Sequence, residues 1–362
     1  MTLGAGGAPA LGSAVEHVGG GMPDGGTRGR SDAGADSRDS GMILVCGEVL
    51  LDVLFDPSQT SGDLPARFAG HPGGSPANTA VAVARLGSSS GLCARISCSS
   101  IGALLRRHLE VNGVDLSYSV DAQEPASLAF VDVSADGVAS YAFYVDGTAD
   151  WQWTVDELPA ELPADVTALH AGSIAAARLP GRAAIATWFG GHRGRRLLSF
   201  DPNVRPDLVG SPSDARSWTE HMVGQVDLVK ASIEDIHWLY PGRSADDVAA
   251  TWRTLGARIV VVTLGPDGAV GYSETERVRA AARPVAVVDT VGAGDSYSGG
   301  LLHFLESEQL MSAAATGRLP HGALAAALDV ADAVAVLTCS RAGADPPHAD
   351  EVARLLERST AI

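Results

Sequence analysis

The sequence is poor in cysteine and has no long apolar run. Only four of its 362 residues are Cys, and no two of them form a CxxC pair. This pattern argues against a zinc-thiolate site and against disulfide bonds, and it favours reduced thiols in a cytoplasmic protein. A membrane-spanning helix needs roughly 20 consecutive apolar residues, and the apolar runs of this chain are shorter. We therefore expect no membrane segment.

Positively charged residues are also scarce. The chain has 26 Lys and Arg residues against 43 Asp and Glu residues, which gives a formal net charge of -17. Proteins that bind nucleic acids contact the phosphates with clustered cations, so this composition argues against a nucleic-acid partner. An acidic protein can still bind a nucleotide through backbone N–H groups, one or two cations and a metal ion.

The order of apolar and polar segments predicts an α/β protein. From residue 43 onward, apolar runs of strand length alternate with segments of helical periodicity, which is typical of a mainly parallel sheet. Residues 127 to 144 depart from this alternation, because two β-rich runs flank the sequence Ser-Ala-Asp-Gly and predict a hairpin. Residues 1 to 41 are rich in Gly, Ala, Ser and Asp. They predict a disordered extension before a domain that spans residues 42 to 362.

The most informative stretch is VVDTVGAGDSYSGGLLHFL, residues 287 to 305. It predicts an apolar strand ending at Asp289, a tight Gly-Ala-Gly turn, and a helix beginning near Asp295. The N–H groups of such a turn and of the first helical turn favour a bound anion. A carboxylate beside an anion site suggests a general base. Taken alone, the turn also allows a packing role for the glycines, with Asp295 as a helix cap.

Polar residues follow several of the other predicted strands. The run GHPGGSPANTAVAVARLG, residues 70 to 87, predicts a Gly-Gly turn before a buried helix that carries Asn78 in its first turn. The loops at the carboxyl ends of parallel strands form the ligand crevice of such sheets. We therefore expect one rim to hold Asp295 together with Asp201, Asn203, Arg205, Lys230, Ser232, Thr263 and Gly265.

Together, these segments resemble the ribokinase-like (PfkB-type) carbohydrate kinases, and within them the fructokinase branch. The motifs that carry the resemblance are GEVLLD (47 to 52), PGGSPANTAVAVARLG (72 to 87), FYVDGTADW (143 to 151), FDPNVRP (200 to 206), VKASIED (229 to 235), VVTLGPDGAVGY (261 to 272), DTVGAGDSYSGGLL (289 to 302) and CSRAGADPP (339 to 347). The resemblance implies a three-layer α/β/α sandwich with a mainly parallel central sheet. It also implies a small β-sheet lid, formed by residues 52 to 70 and 127 to 146, through which two subunits pair as a homodimer.

The family resemblance also implies an activity: transfer of the γ-phosphate of ATP to a hydroxymethyl group of a small sugar, with fructose as the first choice. In this scheme Asp295 is the general base, and the N–H groups of Gly292, Ala293 and Gly294 form the anion hole. The positions that match the family's sugar-binding residues are Asp52, Gly74, Asn78 and Arg205, of which Arg205 also matches a nucleotide-side position. The other nucleotide-side positions are Lys230, Ser232, Thr263 and Gly265.

Two cations follow from the same resemblance. Mg²⁺ is expected to arrive with ATP and to be reached through water by Asp235, with Glu234 as an alternative carboxylate. Asp289 matches a residue of a monovalent-cation site, so K⁺ is expected near it. The chain departs from the family at ISCSSIG (96 to 102), where a Gly-x-Asp-x-x-Gly turn is usual, and at Asp332, where an Asn near the adenine is common.

Alternatives to a fructokinase remain open at this point. The same chemistry on 2-keto-3-deoxygluconate or on a ribosyl compound or nucleoside depends on only a few pocket residues. An acidic sugar would require a cationic partner, for which Arg95 and Arg205 are candidates. A nucleotide-binding sensor without catalysis is a further alternative, although it has no need of a base at Asp295.

Overall fold

The computed structural model describes residues 41–55, 67–133 and 139–360. The predicted extension falls outside them except for Gly41, as do the predicted Ser-Ala-Asp-Gly turn and most of the predicted lid segment from 52 to 70. Every described helix is too short or too polar to span a bilayer. All four cysteines are free, as the sequence predicts.

Strands and helices alternate along most of the described chain. The strands are β1 (Met42–Cys46), β2 (Leu50–Phe55), β3 (Phe68–Gly73), β4 (Ser89–Cys93), β5 (Arg95–Ser97), β6 (Val120–Ala122), β7 (Leu128–Val133), β8 (Ala139–Tyr144), β9 (Val166–Gly172), β10 (Leu197–Asp201), β11 (Leu228–Ser232), β12 (Ile259–Thr263), β13 (Ala269–Tyr272) and β14 (Arg277–Ala280). The α-helices are α1 (Ser75–Arg85), α2 (Ser100–Val111), α3 (Ser173–Ala177), α4 (Arg182–His192), α5 (Pro206–Val209), α6 (Pro212–Val223), α7 (Ile233–Leu239), α8 (Ala245–Leu255), α9 (Ala293–Ser307), α10 (Met311–Ala315), α11 (Ala323–Cys339) and α12 (Ala349–Thr360). Short 3₁₀ turns cover Ala149–Trp151, Val155–Glu157 and Gly265–Asp267.

The central sheet has eight strands in the order β14-β13-β12-β11-β10-β9-β1-β4. The strands from β12 to β4 run parallel to their neighbours, whereas β13 and β14 are added antiparallel at one edge. Parallel strands need crossover connections, which here are mostly helical. The carboxyl ends of the parallel strands therefore lie along one edge of the sheet.

Helices cover both faces of this sheet. Along β1, Ile43 and Val45 pack into a core with α1, α2, α9 and α11, whereas Leu44 and Cys46 pack into a second core with α3, α4, α6, α7 and α8. Because successive side chains of a strand point to opposite faces, a strand buried on both faces reads as an unbroken apolar run. The three-layer arrangement predicted from the sequence is confirmed.

A second, small sheet has the strand order β3-β2-β7-β8. The hairpin predicted at residues 127 to 144 is confirmed as the antiparallel pair β7 and β8. Its other strands come from residues near the first central strand, since β2 pairs antiparallel with β3 and parallel with β7. Asp52, Ala129 and Phe143 lie side by side across β2, β7 and β8 and so share one face of this sheet.

The strand predicted to end at Asp289 is not formed. Val287 and Val288 are 60% and 64% exposed, and the segment lies outside the sheets of the described chain. It is held instead to the end of α11, where the carbonyl of Cys339 accepts hydrogen bonds from the N–H groups of Val288 and Asp289. The helix that follows begins at Ala293, slightly before the predicted position.

Helices α9 and α11 pack closely because α9 has a glycine at the contact. A Cβ atom at Gly300 would lie 2.9 Å from the Cα of Ala331 and 3.0 Å from a methyl carbon of Val334. The backbone of α11 cannot yield locally, so any side chain here would force the helices apart.

We expect Gly300→Ala to lower the free energy of unfolding by about 1–3 kcal/mol, because it overpacks this contact. Gly191→Ala in α4 is the matched control, because a Cβ at this position would meet nothing within 4 Å. This substitution should raise the free energy of unfolding by up to about 1 kcal/mol. Urea unfolding of both variants measures the difference. Equal stability of the two variants would contradict the close packing.

Candidate active site

Two cavities open at the edge of the central sheet where its parallel strands end. The first has a volume of about 620 Å³ and is lined in part by the small sheet, so we call it the lid cavity. The second has a volume of about 800 Å³ and is lined by the ends of β11 and β12 and by α9 and α11, and we call it the rim cavity. Asn203, Thr290 and Gly294 line both cavities and separate them.

The structure sorts the predicted site residues between these cavities. The lid cavity is lined by Asp52, Gly74, Asn78, Arg205, Gly292, Gly294 and Asp295. The rim cavity is lined by Lys230, Ser232, Glu234, Asp235, Thr263, Gly265, Ala293 and Gly294. Arg205, for which the sequence allows either side, therefore lies with Asp52. Asp201 and Asp289 are predicted rim and site residues that line neither cavity.

The carboxylate of Asp295 lies between two helices. Asp295 is in the first turn of α9 and is only 7% exposed. Its Oδ1 accepts a hydrogen bond from Ser75 Oγ at 2.7 Å, and its Oδ2 accepts one from Asn78 Nδ2 at 2.9 Å. These donors from α1 fix the orientation of the carboxylate. Its place at a helix N-terminus also stabilises its negative charge.

The turn before α9 requires glycine and leaves N–H groups available. Gly292 has a left-handed backbone with φ 74°, and a Cβ there would lie 2.5 Å from the Cβ of Ala344. The N–H of Ala293 donates to Thr290 at 3.2 Å, whereas those of Gly292 and Gly294 have no backbone acceptor within the described part of the chain. Two of the three predicted amides are thus available to an anion at the boundary of the cavities.

Asp52 contributes a second carboxyl group to the lid cavity. A Cβ at Gly73 would lie 2.2 Å from Asp52 Oδ2, so this glycine leaves room for the carboxyl group. Burial, followed by the negative charge of Asp295, raises the pKa of Asp52 to about 6, although the charge of Arg205 opposes the shift. Near pH 6, Asp52 can therefore donate as well as accept hydrogen bonds.

Asn203 is a site residue for which the sequence predicted a place on the rim but no role. It has a positive φ of 35°, which is uncommon for a residue other than glycine. Its Oδ1 accepts a hydrogen bond from Arg205 Nη1 at 2.6 Å, and its Nδ2 lies 3.4 Å from Asp295 Oδ1. Asn203 therefore links the arginine of the lid cavity to the carboxylate of Asp295 in the same cavity.

Lys230 places a buried positive charge below the anion turn. Its Nζ donates to Asp201 Oδ2 at 2.9 Å, and Ser298 Oγ donates to the same oxygen at 3.3 Å. A Cβ at Gly294 would lie 3.0 Å from this Nζ. Burial alone would lower the pKa of Lys230, but the charge and hydrogen bond of Asp201, together with the charges of Asp295 and Asp235, outweigh burial and raise the pKa. The ammonium group therefore stays charged at neutral pH.

The residues predicted to act on magnesium have unequal surroundings. Ser232 and Asp235 form a capping box at the start of α7. Asp235 Oδ2 accepts from the N–H and the hydroxyl of Ser232, both at 2.9 Å, and Oδ1 accepts from the N–H of Val204 at 2.7 Å. Asp235 thus holds the loop after β10, whereas Glu234 is exposed in the rim cavity.

Asp289 joins two loops beside the site. Its Oδ1 accepts a hydrogen bond from the N–H of Val291 at 3.0 Å, and its Oδ2 accepts one from the N–H of Gly343 at 2.8 Å. This arrangement fixes the turn before α9 against the loop that follows α11.

Glu48 is a further residue of the lid cavity that the sequence reasoning missed. It is 1% exposed, and its Oε2 accepts a hydrogen bond from the N–H of Ala175 at 3.0 Å. Burial raises its pKa to about 7, and the charge of Asp150 adds to the shift. A Cβ at Gly74 would lie 2.6 Å from the carbonyl oxygen of Glu48. A charged residue two positions after the buried run of β1 was the signal available in the sequence.

Arg95 does not take part in the site, so its prediction as a partner for an acidic sugar is wrong. It lines neither cavity. Its Nε donates to the carbonyl of Ala149 at 3.0 Å, and its Nη2 donates to both carboxylate oxygens of Glu124 at 2.8 and 2.9 Å. It also forms an ion pair with Glu157.

The two departures from the family motifs have local physical explanations. At residues 96 to 102, Ser99 caps α2 by accepting a hydrogen bond from the N–H of Gly102 at 3.3 Å. Asp332 lines the rim cavity and forms an ion pair with Arg283 at 2.9 Å. The charge that Asp introduces in place of Asn is therefore balanced.

Comparison with known proteins identifies the family. The model of the pfkB family carbohydrate kinases matches residues 40–351. The chain belongs to this family. Over 284 residues, this pfkB kinase is 36% identical to a fructokinase of Rhizobium leguminosarum bv. trifolii, a match that covers 78% of the chain and 85% of the relative.

Solved structures of fructokinases have the same fold as this pfkB kinase. A fructokinase from Xylella fastidiosa with bound ATP matches with a TM-score of 0.80 and 27% identity, over 88% of this chain and 99% of that one. A fructokinase double mutant from Vibrio cholerae O395, in a form with bound fructose, ADP and potassium ion, matches with a TM-score of 0.73 and 27% identity, over 85% and 95% of the two chains. The predicted ribokinase-like fold is confirmed, and the chain is a sugar kinase rather than a nucleotide sensor.

The buried carboxyl of Glu48 predicts a pH dependence of stability. Its pKa is raised from 4.5 to about 7 in the folded protein, so the unfolded chain loses this proton first. Stability should therefore fall as the pH rises from about 4.5 to about 7, by on the order of 3 kcal/mol for this group. Glu48→Gln keeps a carbonyl acceptor and removes the titration. Urea unfolding between pH 4.5 and 8 should show that the free energy of unfolding falls less steeply with pH in the variant than in the wild type. Identical pH dependence of the two proteins would contradict the raised pKa of Glu48.

Proposed function

We propose that this pfkB kinase transfers the γ-phosphoryl group of ATP to a hydroxymethyl group of fructose. The observation that carries the proposal is the position of Asp295, which lines the lid cavity, directly follows Gly294 of the boundary with the rim cavity, and lies beside the N–H groups of the Gly292 turn. Support for the substrates comes from the relatives named fructokinase and from the Vibrio cholerae fructokinase with bound fructose and ADP.

In the proposed reaction, the sugar occupies the lid cavity and the nucleotide occupies the rim cavity. Asp295 takes the proton of the sugar hydroxyl while that oxygen forms a bond to the γ-phosphorus. The bond between this phosphorus and the bridging oxygen breaks, and ADP leaves with the bonding electrons. Because Ser75 and Asn78 hold the carboxylate in one orientation, the base is positioned before the substrates arrive.

The charge on the transferred phosphoryl group requires stabilisation by the protein. The available N–H groups at Gly292 and Gly294 and the N-terminus of α9 face this charge, and the ammonium group of Lys230 lies below the turn. Preorganised donors of this kind supply much of the rate enhancement in phosphoryl transfer. Asp52 and Arg205 then hold the sugar hydroxyls on the other side of the base.

The residues present fit a magnesium ion carried by the nucleotide. Within the described ranges, no cluster of three or more His, Cys, Asp or Glu side chains could hold a metal by itself. Mg²⁺ commonly keeps several waters and binds one or two carboxylates together with substrate phosphates, and the exposed Glu234 and the buried Asp235 of the rim cavity suit that mode. When bound, the ion neutralises phosphate charge.

A monovalent cation is assigned to the loops at Asp289. Its carboxylate joins the Val291 turn to the Gly343 loop, so a cation there would stabilise the turn that precedes the anion site. A potassium ion is present in the Vibrio cholerae fructokinase structure.

Replacement of the proposed base tests the mechanism. Asp295→Asn should lower kcat by about 10²- to 10⁴-fold with little change in ATP affinity, because the amide cannot accept the proton. Asp156→Asn, at an exposed position outside both cavities, is the control and should keep full activity. Coupled measurement of ADP formation and nucleotide binding separates the two effects. Near-normal turnover of Asp295→Asn would rule out this base.

A substrate panel tests the choice of sugar. ADP formation should be measured with ATP and fructose, 2-keto-3-deoxygluconate, ribose or a nucleoside. We expect the highest kcat/KM with fructose, by at least about 10-fold over the others. Since Arg205 lies in the lid cavity, the acidic sugar is the most informative competitor, and a preference for it would replace fructose as the assigned substrate.

The outer face of the small sheet is proposed as the homodimer interface. Phe55, Phe68, Phe130 and Tyr144 form a row across its four strands, with ring centroids 5.7, 6.0 and 5.3 Å apart. Three of these rings are strongly exposed, with exposed fractions of 49% for Phe55, 54% for Phe68 and 61% for Tyr144. This contiguous aromatic row lies on the face of the small sheet opposite to Asp52, and it is suited to pack against the same face of a second copy of the chain.

Phe68→Glu should convert the dimer to a monomer, because it places a charge in the centre of this aromatic row. Val155→Glu makes the same kind of change at a residue that is 56% exposed and outside the small sheet, and it should leave the dimer intact. Sedimentation velocity measures both. A wild-type monomer, or a Phe68→Glu dimer of unchanged affinity, would contradict the interface.

A further inference from the structure

Asp201 is a buried charged residue that lies behind the wall of the rim cavity. It is 2% exposed and lines neither cavity, whereas its partner Lys230 lines the rim cavity. A buried ion pair often adds little net stability, because the cost of removing two charges from water offsets their attraction. The function of this pair is therefore expected in the charge and position of Lys230 rather than in stability.

The register of two central strands brings the pair together. In the parallel pair of β10 and β11, Phe200 lies opposite Val229, so Asp201 and Lys230 follow at neighbouring positions. Because side chains alternate along a strand, both point away from the core that contains Phe200 and Val229. Ser298 of α9 contacts the carboxylate from that opposite side.

Three elements hold the carboxylate of Asp201. Its Oδ1 accepts a hydrogen bond from the N–H of Asn203, in the loop after β10, at 3.2 Å. Its Oδ2 accepts one from Nζ of Lys230 on β11 at 2.9 Å and one from Oγ of Ser298 on α9 at 3.3 Å. The carboxylate is fixed by these contacts, and it fixes the position of the ammonium group in turn.

The ammonium group of Lys230 has donors to spare. Of its three N–H donors, one is used by Asp201, which is the single acceptor of this group among the residues that the structure describes. A Cβ at Gly294 would lie 3.0 Å from the Nζ, so the ammonium group is in contact with the turn before α9. Two donors are thus available to an anion at that turn.

The charge of Lys230 depends on its acidic neighbours. Burial lowers its pKa, and the charge of Asp201 is the strongest influence that raises it, with smaller effects of Asp295 on α9 and Asp235 on α7. Burial and the charge of Lys230 lower the pKa of His170 on β9 to about 3, so this imidazole is neutral near pH 7. Burial also raises the pKa of Asp201, while Lys230 opposes that shift. Each member of the pair therefore keeps the other ionised.

We propose that Asp201 is a positioning residue for phosphoryl transfer, which holds Lys230 as a charged ammonium against the anion turn and acts on ATP only through that lysine. The inference rests on the proposed function, since it takes the rim cavity as the ATP site. A neutral amine at this position would contribute no positive charge to the phosphoryl oxygens. The reaction would then depend on a carboxylate outside both cavities.

The pH dependence of the reaction tests this role. Asp201→Asn keeps the size of the side chain and an acceptor oxygen but removes the charge, so the pKa of Lys230 should fall by about 1–3 units. Since the protonated lysine is the active form, kcat/KM for ATP should decline with rising pH, about 1–3 pH units earlier than in the wild type. The measurement runs from about pH 6 to about pH 10.5.

Asp227→Asn is the matched control for the loss of a buried carboxylate. Asp227 is 6% exposed, lies just before β11 and lines neither cavity. Its Oδ2 accepts a hydrogen bond from the N–H of Leu198 at 3.0 Å, a contact that the amide oxygen of Asn retains. This variant should keep the alkaline decline of the wild type.

A double-mutant cycle separates action through Lys230 from a structural role. Lys230→Met should lower kcat/KM for ATP by about 10²-fold. Adding Asp201→Asn should change this value by no more than about 2-fold, because the lysine through which Asp201 acts is already absent. The double variant has no unpaired charge in this pair, so this comparison decides the question even if Asp201→Asn alone does not fold.

The outcomes distinguish this inference from the proposed function. An unchanged alkaline decline in Asp201→Asn, or losses that multiply in the double variant, would overturn the role of Asp201 and leave the kinase assignment intact. ATP binding without transfer to any sugar would overturn the proposed function alone. The pH dependence of ATP affinity in calorimetry should then show the same shift in Asp201→Asn, and its absence would overturn the inference. A wild type that binds no ATP would overturn both.

Discussion

The contact between the first turns of α1 and α9 is the constraint on which the site depends. Asp295 at the start of α9 accepts hydrogen bonds from Ser75 and Asn78 of α1, and its backbone carbonyl accepts a third, from Thr79 at 3.3 Å. The helices can approach this closely because α9 has Gly299 at the crossing, where a Cβ would lie 2.6 Å from that of Ala82. The carboxylate is therefore positioned by the same packing that builds the core.

The electrostatics of the site explain how an acidic protein can accept a polyphosphate. Although the net charge is -17, the positive end of α9 and the buried ammonium group of Lys230 face the boundary between the two cavities. Two carboxyl groups of the lid cavity carry less negative charge than their number suggests. Asp52 and Glu48 have pKa values raised to about 6 and about 7, so both are partly protonated near neutrality.

The sequence allowed most of the architecture to be predicted, because strands buried on both faces leave unbroken apolar runs and glycines mark the turns. The prediction of a strand before Asp289 failed, because the β-branched residues Val287 and Val288 are typical of a strand but are exposed here. Sequence analysis also missed the role of Ser75, whose hydrogen bond to Asp295 spans 220 positions of the chain.

Arg95 is an example of the opposite error, in which a residue was assigned a role that it does not have. Its positive charge suggested an acidic ligand, but its partners in the structure are Glu124 and Glu157. Such pairings are decided by tertiary contacts that no local pattern encodes.

The partition between the two cavities is thin, since Asn203, Thr290 and Gly294 line both of them. A single molecule that carries a sugar and a nucleoside joined through a phosphate bridge could therefore occupy both cavities at once. After one half had bound, the other half would be present at a high effective concentration. The affinity of the linked molecule could therefore exceed that of either half alone by orders of magnitude. This geometry makes the protein a suitable target for bisubstrate inhibitors, whose linker length would report the distance over which the phosphoryl group travels.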